Sequence, residues 1–314
     1  MTGAWIGLAV LALALAWPVP IALSKAAWPA RAPGTALALW QAIALSGGLS
    51  MIGALLAFGL TPFENDVGQA CALLFGHLLD GPLPPQAGAL QIVSLAGAVV
   101  LGAHLVLSLA TTAASTERER RRHRALIALL SSPLQGSPGT RMLDFAAPVA
   151  YCLPGVRSIT VLTEGLVRVL DAAQLRAVLA HERAHLRQYH HLVLLAFKAW
   201  NIALPWFPIA NRAEKAVALL VEMLADDDAR REVDDASLAT AIAIVGSPWR
   251  DGDPGATPVA SDEIVPEADP ETLGARVSRL VAPPAPLSGP ARSLVLAAAI
   301  ALVATPVAVL FSLL

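Results

Sequence analysis

The chain has 314 residues, 56% of them hydrophobic and only 15% charged, with a mean hydropathy of +0.61. Soluble domains carry about 25% charged residues, so this apolar excess, gathered into long runs, marks an integral membrane protein rather than a soluble one. A formal net charge of −2 gives no basic footprint for nucleic acid, and no direct nucleic-acid partner is expected.

Crossing a bilayer core takes about 20 apolar residues, and four stretches qualify. The first, Ala4–Leu23, reads "AWIGLAVLALALAWPVPIAL". It has no charge, no basic flank and no small-residue cleavage site, so it reads as a retained span rather than a signal peptide. The second runs from Ala36 to Leu60, the third from Ala87 to Ala110 and the fourth from Leu294 to Leu314. Pro18, Pro20 and Pro306 fall inside these runs, where a kink is tolerated if neighbours satisfy the freed carbonyls.

Lys25 and Arg31 follow the first span, whereas the loop Thr61–Gln86 holds Glu64, Asp66 and Asp80 but no Lys or Arg. The basic cluster "TERERRRHR", Thr116–Arg124, follows the third span, and Arg279 and Arg292 precede the fourth. The positive-inside rule then predicts a multi-pass protein of the cytoplasmic membrane, with both termini outside and Thr111–Arg292 in the cytoplasm. Trp5, Trp17 and Trp40 sit near span ends, as in an interfacial belt. His104, inside the third span, either bonds a neighbouring helix or marks function, and packing is the favoured reading. The lipid bilayer is thus one expected partner.

The region between the third and fourth spans is predicted to hold the chemistry. Ala125–Leu130 reads as an amphipathic helix. "PVAYCLPGVRSITVLTEGL", Pro148–Leu166, reads as two short strands around a Pro154-Gly155 turn. Asp171 is a candidate N-cap, with Gln174 placed as in a capping box. Leu175, Val178, Leu179 and Leu186 supply the apolar stripe of the helix that follows. His191–Arg212 is apolar, but Lys198, Asn201, Pro205 and Pro208 interrupt it. It reads as a helix and turn at the membrane surface, dipping in at Trp200, Trp206 and Phe207. Pro248–Pro270 has the composition of a mobile loop, Pro270–Val281 that of a short amphipathic helix, and Ala282–Pro290 that of a linker. Cys71 and Cys152 follow no CxxC or CxxH pattern and read as ordinary small apolar residues.

The stretch "AVLAHERAHLRQYHHL", Ala177–Leu192, lies on the capped helix. His181 and His185 are four apart and share a helix face, an arrangement in which two imidazoles can bind one Zn²⁺. Glu182 is placed to act as a general base, the role this carboxylate takes in metallopeptidases when water attacks a carbonyl. Downstream, Glu222 and Asp226 also share a face. Glu222 sits within the apolar run "VALLVEMLA", where a carboxylate is costly unless paired or metal-bound. It can complete a His₂Glu site, and Asp226 can bond the free nitrogen of one histidine. Asp227 and Asp228 suit a solvated charged face. His190 and His191 fall outside the ligand register and read as bonding or surface residues. Tyr189 and Arg230 are both candidates for oxyanion stabilisation, and nothing in the sequence selects between them.

"VLAHERAHLRQYHHL", "PVAYCLPGVRSITVLTEGL" and "EMLADDDA" together resemble the BlaR/MecR-type membrane zinc metallopeptidases, and the likeness extends to the arrangement of spans. The HExxH and ExxxD pairing is also similar, more distantly, to the HtpX and CAAX prenyl endopeptidases. The resemblance implies one Zn²⁺ per chain, held by His181, His185 and Glu222, with Glu182 as catalytic base and Asp226 in support.

The expected fold is a mostly α membrane protein, with about four transmembrane helices and a cytoplasmic α+β zincin-like domain between the third and fourth. The predicted division is three spans over 1–110, the peptidase domain over 111–247, loop, short helix and linker over 248–293, and the last span over 294–314. The receptors of that family continue into an extracellular penicillin-binding domain, whereas this sequence stops at Leu314, so β-lactam sensing through such a domain is not expected.

The expected activity is endoproteolysis of a protein or peptide substrate at the cytoplasmic face, with an extended substrate pairing to the strand near Ser158–Leu162. The family background suggests a transcriptional repressor as one such substrate and a role in signalling. The alternative is a transmembrane signalling or scaffold protein whose zinc site is structural or rarely active. A transporter is disfavoured, because the spans carry almost no ionisable residues.

Overall fold

The computed structural model describes residues 2–62, 69, 76, 87–134, 137, 139–155, 158–205, 208–247 and 270–311. In chain order the helices are α1 (Thr2–Ala16), α2 (Pro18–Lys25), α3 (Pro33–Gly59), α4 (Ala89–Leu130), α5 (Glu164–Val169), α6 (Ala172–Arg187), α7 (His190–Ala203), α8 (Pro208–Ala229), α9 (Asp235–Val245), α10 (Pro270–Val281) and α11 (Gly289–Phe311). The strands, all between α4 and α5, are β1 (Ser131–Pro133), β2 (Thr140–Leu143), β3 (Ala150–Leu153) and β4 (Ile159–Thr163). The chain divides into two units. One comprises Met1–Thr112, Ala196–Val217 and Leu287–Leu314; the other comprises Ala113–Leu195 and Ala218–Pro286.

The first unit is helical. Among the described residues four helical stretches are long and apolar enough to cross a membrane: Gly3–Lys25, Pro33–Gly59, Ala89–Leu130 and Gly289–Phe311. The first is broken at Trp17, where the following proline disfavours helical backbone, and Pro18 opens α2 at its first turn. The third span and the basic cluster, read from sequence as separate features, are one 42-residue helix. No glycine or proline interrupts Ala103–Leu130, and Ala, Leu, Glu and Arg are all strong helix formers.

Short polar side chains tie these helices together. Ser46 Oγ donates to the Leu302 carbonyl at 2.7 Å and Ser94 Oγ to the Leu55 carbonyl at 3.0 Å. His104 Nε2 bonds the Ala203 carbonyl at 2.9 Å, and Ser108 Oγ donates to the Ala199 carbonyl at 3.1 Å. His104 thus has the bonding role expected of it, with the C-terminal end of α7 as its partner. Trp200 lies against Gly48, where an added Cβ would stand 3.6 Å from the indole. The unit forms a partly open apolar pocket of about 580 Å³, lined by Leu13, Trp40, Met51, Phe197 and Trp200 among others and by no ionisable residue. Trp206, Phe207, Cys71, Pro248–Asp269 and most of Thr61–Gln86 lie outside the described residues.

The second unit is built on a four-stranded sheet of order β1-β2-β4-β3. β4 runs parallel to β2 and antiparallel to β3, with Cys152 opposite Thr160. The two strands expected within Pro148–Leu166 are β3 and β4. The expectation that Ser158–Leu162 forms the edge that receives substrate is corrected. β4 has a strand on each side, so its backbone groups are already paired, and β3 is the edge next to it.

Buried Thr163 joins sheet to helix. Its Oγ1 donates to the Ala147 carbonyl at 2.6 Å and accepts from the N–H groups of Val149 and Leu166. Two residues on, a Cβ at Gly165 would stand 1.8 Å from the Ala146 carbonyl oxygen, a contact with backbone that cannot rotate away. Gly165→Ala is therefore expected to destabilise the unit by about 3 kcal/mol, measurable as a lower unfolding midpoint. An unchanged midpoint would contradict this packing.

α6 begins with the capping box read from sequence. Asp171 Oδ1 accepts from the N–H groups of Ala173 and Gln174, and the Gln174 side chain accepts from the Asp171 N–H. Its inner face packs Ala177, Val178 and Ala180 against Leu162, against Leu238, Ala241 and Ile242 of α9, and against Leu280 of α10. α10 has the limits expected for the amphipathic helix, and its Leu273 and Val277 pack onto the same core.

Candidate metal centre

α6 brings His181 and His185 together because they lie one turn apart on its inner face. Their Nε2 atoms are 3.1 Å apart. Glu222 of α8 faces both, with Oε2 at 3.4 Å from His181 Nε2 and Oε1 at 3.4 Å from His185 Nε2. A tetrahedral Zn²⁺ with bonds of about 2.0–2.1 Å holds neighbouring ligand atoms about 3.3–3.4 Å apart. The two imidazole nitrogens, 3.1 Å apart, and their 3.4 Å contacts to different Glu222 oxygens lie near that spacing. One ligand atom from each residue falls within 4.8 Å of the others, so the donor set fits a zinc ion in chemistry and in approximate size. These three residues form the group able to hold a metal among the described residues.

A second layer orients the donors. His181 Nδ1 is 2.9 Å from Asp226 Oδ1. An Nδ1–H donated to this buried carboxylate leaves Nε2 as the donor atom. His185 Nδ1 is 3.0 Å from His190 Nδ1, and His190 Nε2 is 3.0 Å from Gln188 Oε1. These contacts fit one tautomer chain. His190 donates from Nε2 to Gln188 and accepts at Nδ1 from His185, whose Nε2 is then free for a metal. His190 has the bonding role read for it from sequence, and its partner is a proposed ligand.

One contributor was missed in the sequence. Arg276 of α10 bonds Asp226 through two nitrogens, at 2.9 and 2.8 Å, and pairs with Glu222 Oε2 at 2.7 Å. The adjacent acids are also paired: Asp227 with Arg279 at 2.7 Å and Asp228 with Arg187 at 2.5 Å. Of the two oxyanion candidates, Arg230 is engaged by Asp235 at 2.7 and 2.6 Å. The Tyr189 side chain is exposed, with its ring 6.2 Å from that of His191.

Burial and charge set the protonation of the metal-free cluster. Burial disfavours a charged His181, but bonds to Asp226 and Glu222 outweigh it and raise its pKa to about 10. Burial, then repulsion by His181, lowers His185 to about 4. Glu182 is pushed up to about 7, chiefly by burial, against the pull of His181 and of a bond donated by the Cys152 N–H. Burial alone would raise Glu222, but His181 and Arg276 hold it well below the usual carboxylate range. Burial would likewise raise Asp226, but bonds from Arg276 and His181 lower it.

A metal can use His181 Nε2 only after His181 loses a proton, so binding releases protons. The proton is held below about pH 10, and apparent zinc affinity is expected to rise about tenfold per pH unit between pH 6 and 8. Chelator competition across that range measures this, and a flat profile would contradict the His181 assignment.

Two imidazoles from one helix turn, a carboxylate between them in sequence and a second carboxylate from a neighbouring helix are the components of a metallopeptidase centre. Residues 98–225 match the family model for Peptidase family M48, which supports a metallopeptidase of that family. The match takes in α6 with His181, Glu182 and His185, and α8 as far as Ala225, hence Glu222. Peptidases of this family are generally zinc-dependent. No curated protein and no solved structure gives a match.

Proposed function

We propose that this protein is a membrane-embedded zinc-dependent endopeptidase that cleaves a protein or peptide substrate at the cytoplasmic face. The carrying observation is the cluster of His181 Nε2 and His185 Nε2, 3.1 Å apart, each 3.4 Å from one of the two Glu222 oxygens, next to the ionisable Glu182. His181, His185 and Glu222 hold the ion. A zinc ion there supplies Lewis acidity, lowering the pKa of a water and polarising the scissile carbonyl.

Glu182 takes the proton from the attacking water and delivers it to the leaving amine. A carboxyl poised near pH 7 can do both at neutral pH. Asp226 and His190 fix the tautomers of His181 and His185. An extended substrate pairs with the outer edge of β3, whose Cys152 N–H already reaches Glu182.

The four apolar helical stretches support membrane insertion, and the basic run Thr116–Arg124 supports a cytoplasmic site with both termini outside. The order of three spans, site and fourth span supports a BlaR/MecR-type arrangement and a role in regulated proteolysis, with a transcriptional repressor as a candidate substrate.

Comparing membrane-associated and soluble protein fragments in cells carrying wild type or Glu182→Gln tests the function. Intact substrates should accumulate in the variant. If the cellular phenotype and every protein fragment are unchanged, the scaffold reading replaces the enzyme.

A further inference from the structure

We infer that Arg276 is a positioning residue of the metal centre, delivered by α10, and that zinc affinity depends on it. The inference rests on the zinc-site reading above.

Arg276 joins the two site carboxylates of α8. It grips both oxygens of Asp226 and one oxygen of Glu222, and its side chain is only 13% exposed. A planar guanidinium can hold two carboxylates at once, whereas an ammonium acts as a single point charge. Arg276 also comes within 3.4 Å of His181 Nε2, yet other ligand contacts remain in place. Glu222 Oε1 faces His185, and Asp226 Oδ1 is still within 2.9 Å of His181 Nδ1.

Charge supports the same role. Glu222 and Asp226 against one guanidinium leave a net negative charge on this face of α8, which favours a cation beside it. Without Arg276, buried Asp226 and partly buried Glu222, four residues apart on α8, would repel each other and be oriented only by their contacts to His181 and His185.

The way Arg276 is delivered separates this role from simple docking of α10. The helix is also pinned by Leu273, Val277 and Leu280 in the core and by Arg279 on Asp227 at 2.7 and 2.8 Å. Those contacts hold the helix in place without touching the ligand set. A change at Arg276 should therefore be read at the metal, and a change at Arg279 in the stability of the fold.

The test is zinc affinity of the detergent-purified full chain by chelator competition, for wild type, Arg276→Ala, Arg276→Lys, Arg279→Ala and His181→Ala. Arg276→Ala is expected to bind zinc 10–100-fold more weakly, the usual cost of losing an outer partner of a ligand. Arg276→Lys should fall between it and wild type. Added guanidinium should partly restore affinity to Arg276→Ala, and Arg279→Ala should bind zinc as wild type does.

Wild-type affinity in Arg276→Ala, or tighter binding, overturns the inference, the latter because Arg276 would then be a competitor for the site. Equal losses in Arg276→Ala and Arg279→Ala without guanidinium rescue also overturn it, in favour of docking alone. Absence of zinc from the wild type, or its retention by His181→Ala, would instead refute the underlying site.

Discussion

Glu182→Gln is expected to lower peptide-bond hydrolysis by roughly 10²–10⁴-fold while zinc stays bound. Glutamine has nearly the same shape, and its carbonyl oxygen can still accept the Cys152 N–H that the carboxylate accepts. It cannot accept a proton from water, nor return one to the leaving amine. Glu182 is not among the three donors, so the ion has no reason to leave. The paired measurement is peptidase turnover and metal content on the same preparation. Turnover at the wild-type rate with zinc retained would remove Glu182 from the chemistry; loss of both would make it structural.

The second large effect is expected at His181. His181→Ala should abolish both zinc binding and turnover, with consequences beyond one lost bond. His181 is buried and lies between Asp226 Oδ1 at 2.9 Å and Glu222 Oε2 at 3.4 Å. Removing the imidazole leaves buried Asp226 with Arg276 as its remaining charged partner and Glu222 with Arg276 and His185, and weakening the pairing of a buried charge costs stability. Metal content should fall to background at pH 7, and the unfolding midpoint should fall with it. Turnover that survives without the imidazole would place the chemistry elsewhere.

What could be read from sequence here was local. The capping box at Asp171 and Gln174, the apolar stripe of α6 and the pair His181 and His185 each lie within a few turns of one helix, so spacing alone placed them. Glu222 was legible for a different reason: a carboxylate inside an apolar run needs a partner. Four helices long and apolar enough to cross a membrane were legible from length and apolarity. β1 was not, because Ser131–Pro133 carries no β-branched or aromatic residue, and β2 is held by pairing to β1 and β4 across the sheet. The edge position went to the wrong strand because whether a strand lies at an edge is settled by pairing across the sheet.

Two site residues depended on backbone and long-range events that spacing does not encode. Tyr189 adopts φ 51°, a left-handed conformation unusual for a residue with a side chain. It ends α6 and restarts the chain as α7, and this turn brings His190 back against His185, off the ligand register of α6. Arg276 lies 50 residues beyond Asp226. The amphipathic helix that carries it was legible, but the identity of its partners was not.

His181, His185 and Glu222 are proposed to hold one zinc ion. Metal analysis of the purified protein beside His181→Ala and Glu222→Ala tests it most directly. One zinc per chain is expected in the wild type and none in either variant. Zinc retained at one equivalent in Glu222→Ala would remove the third ligand and contradict it.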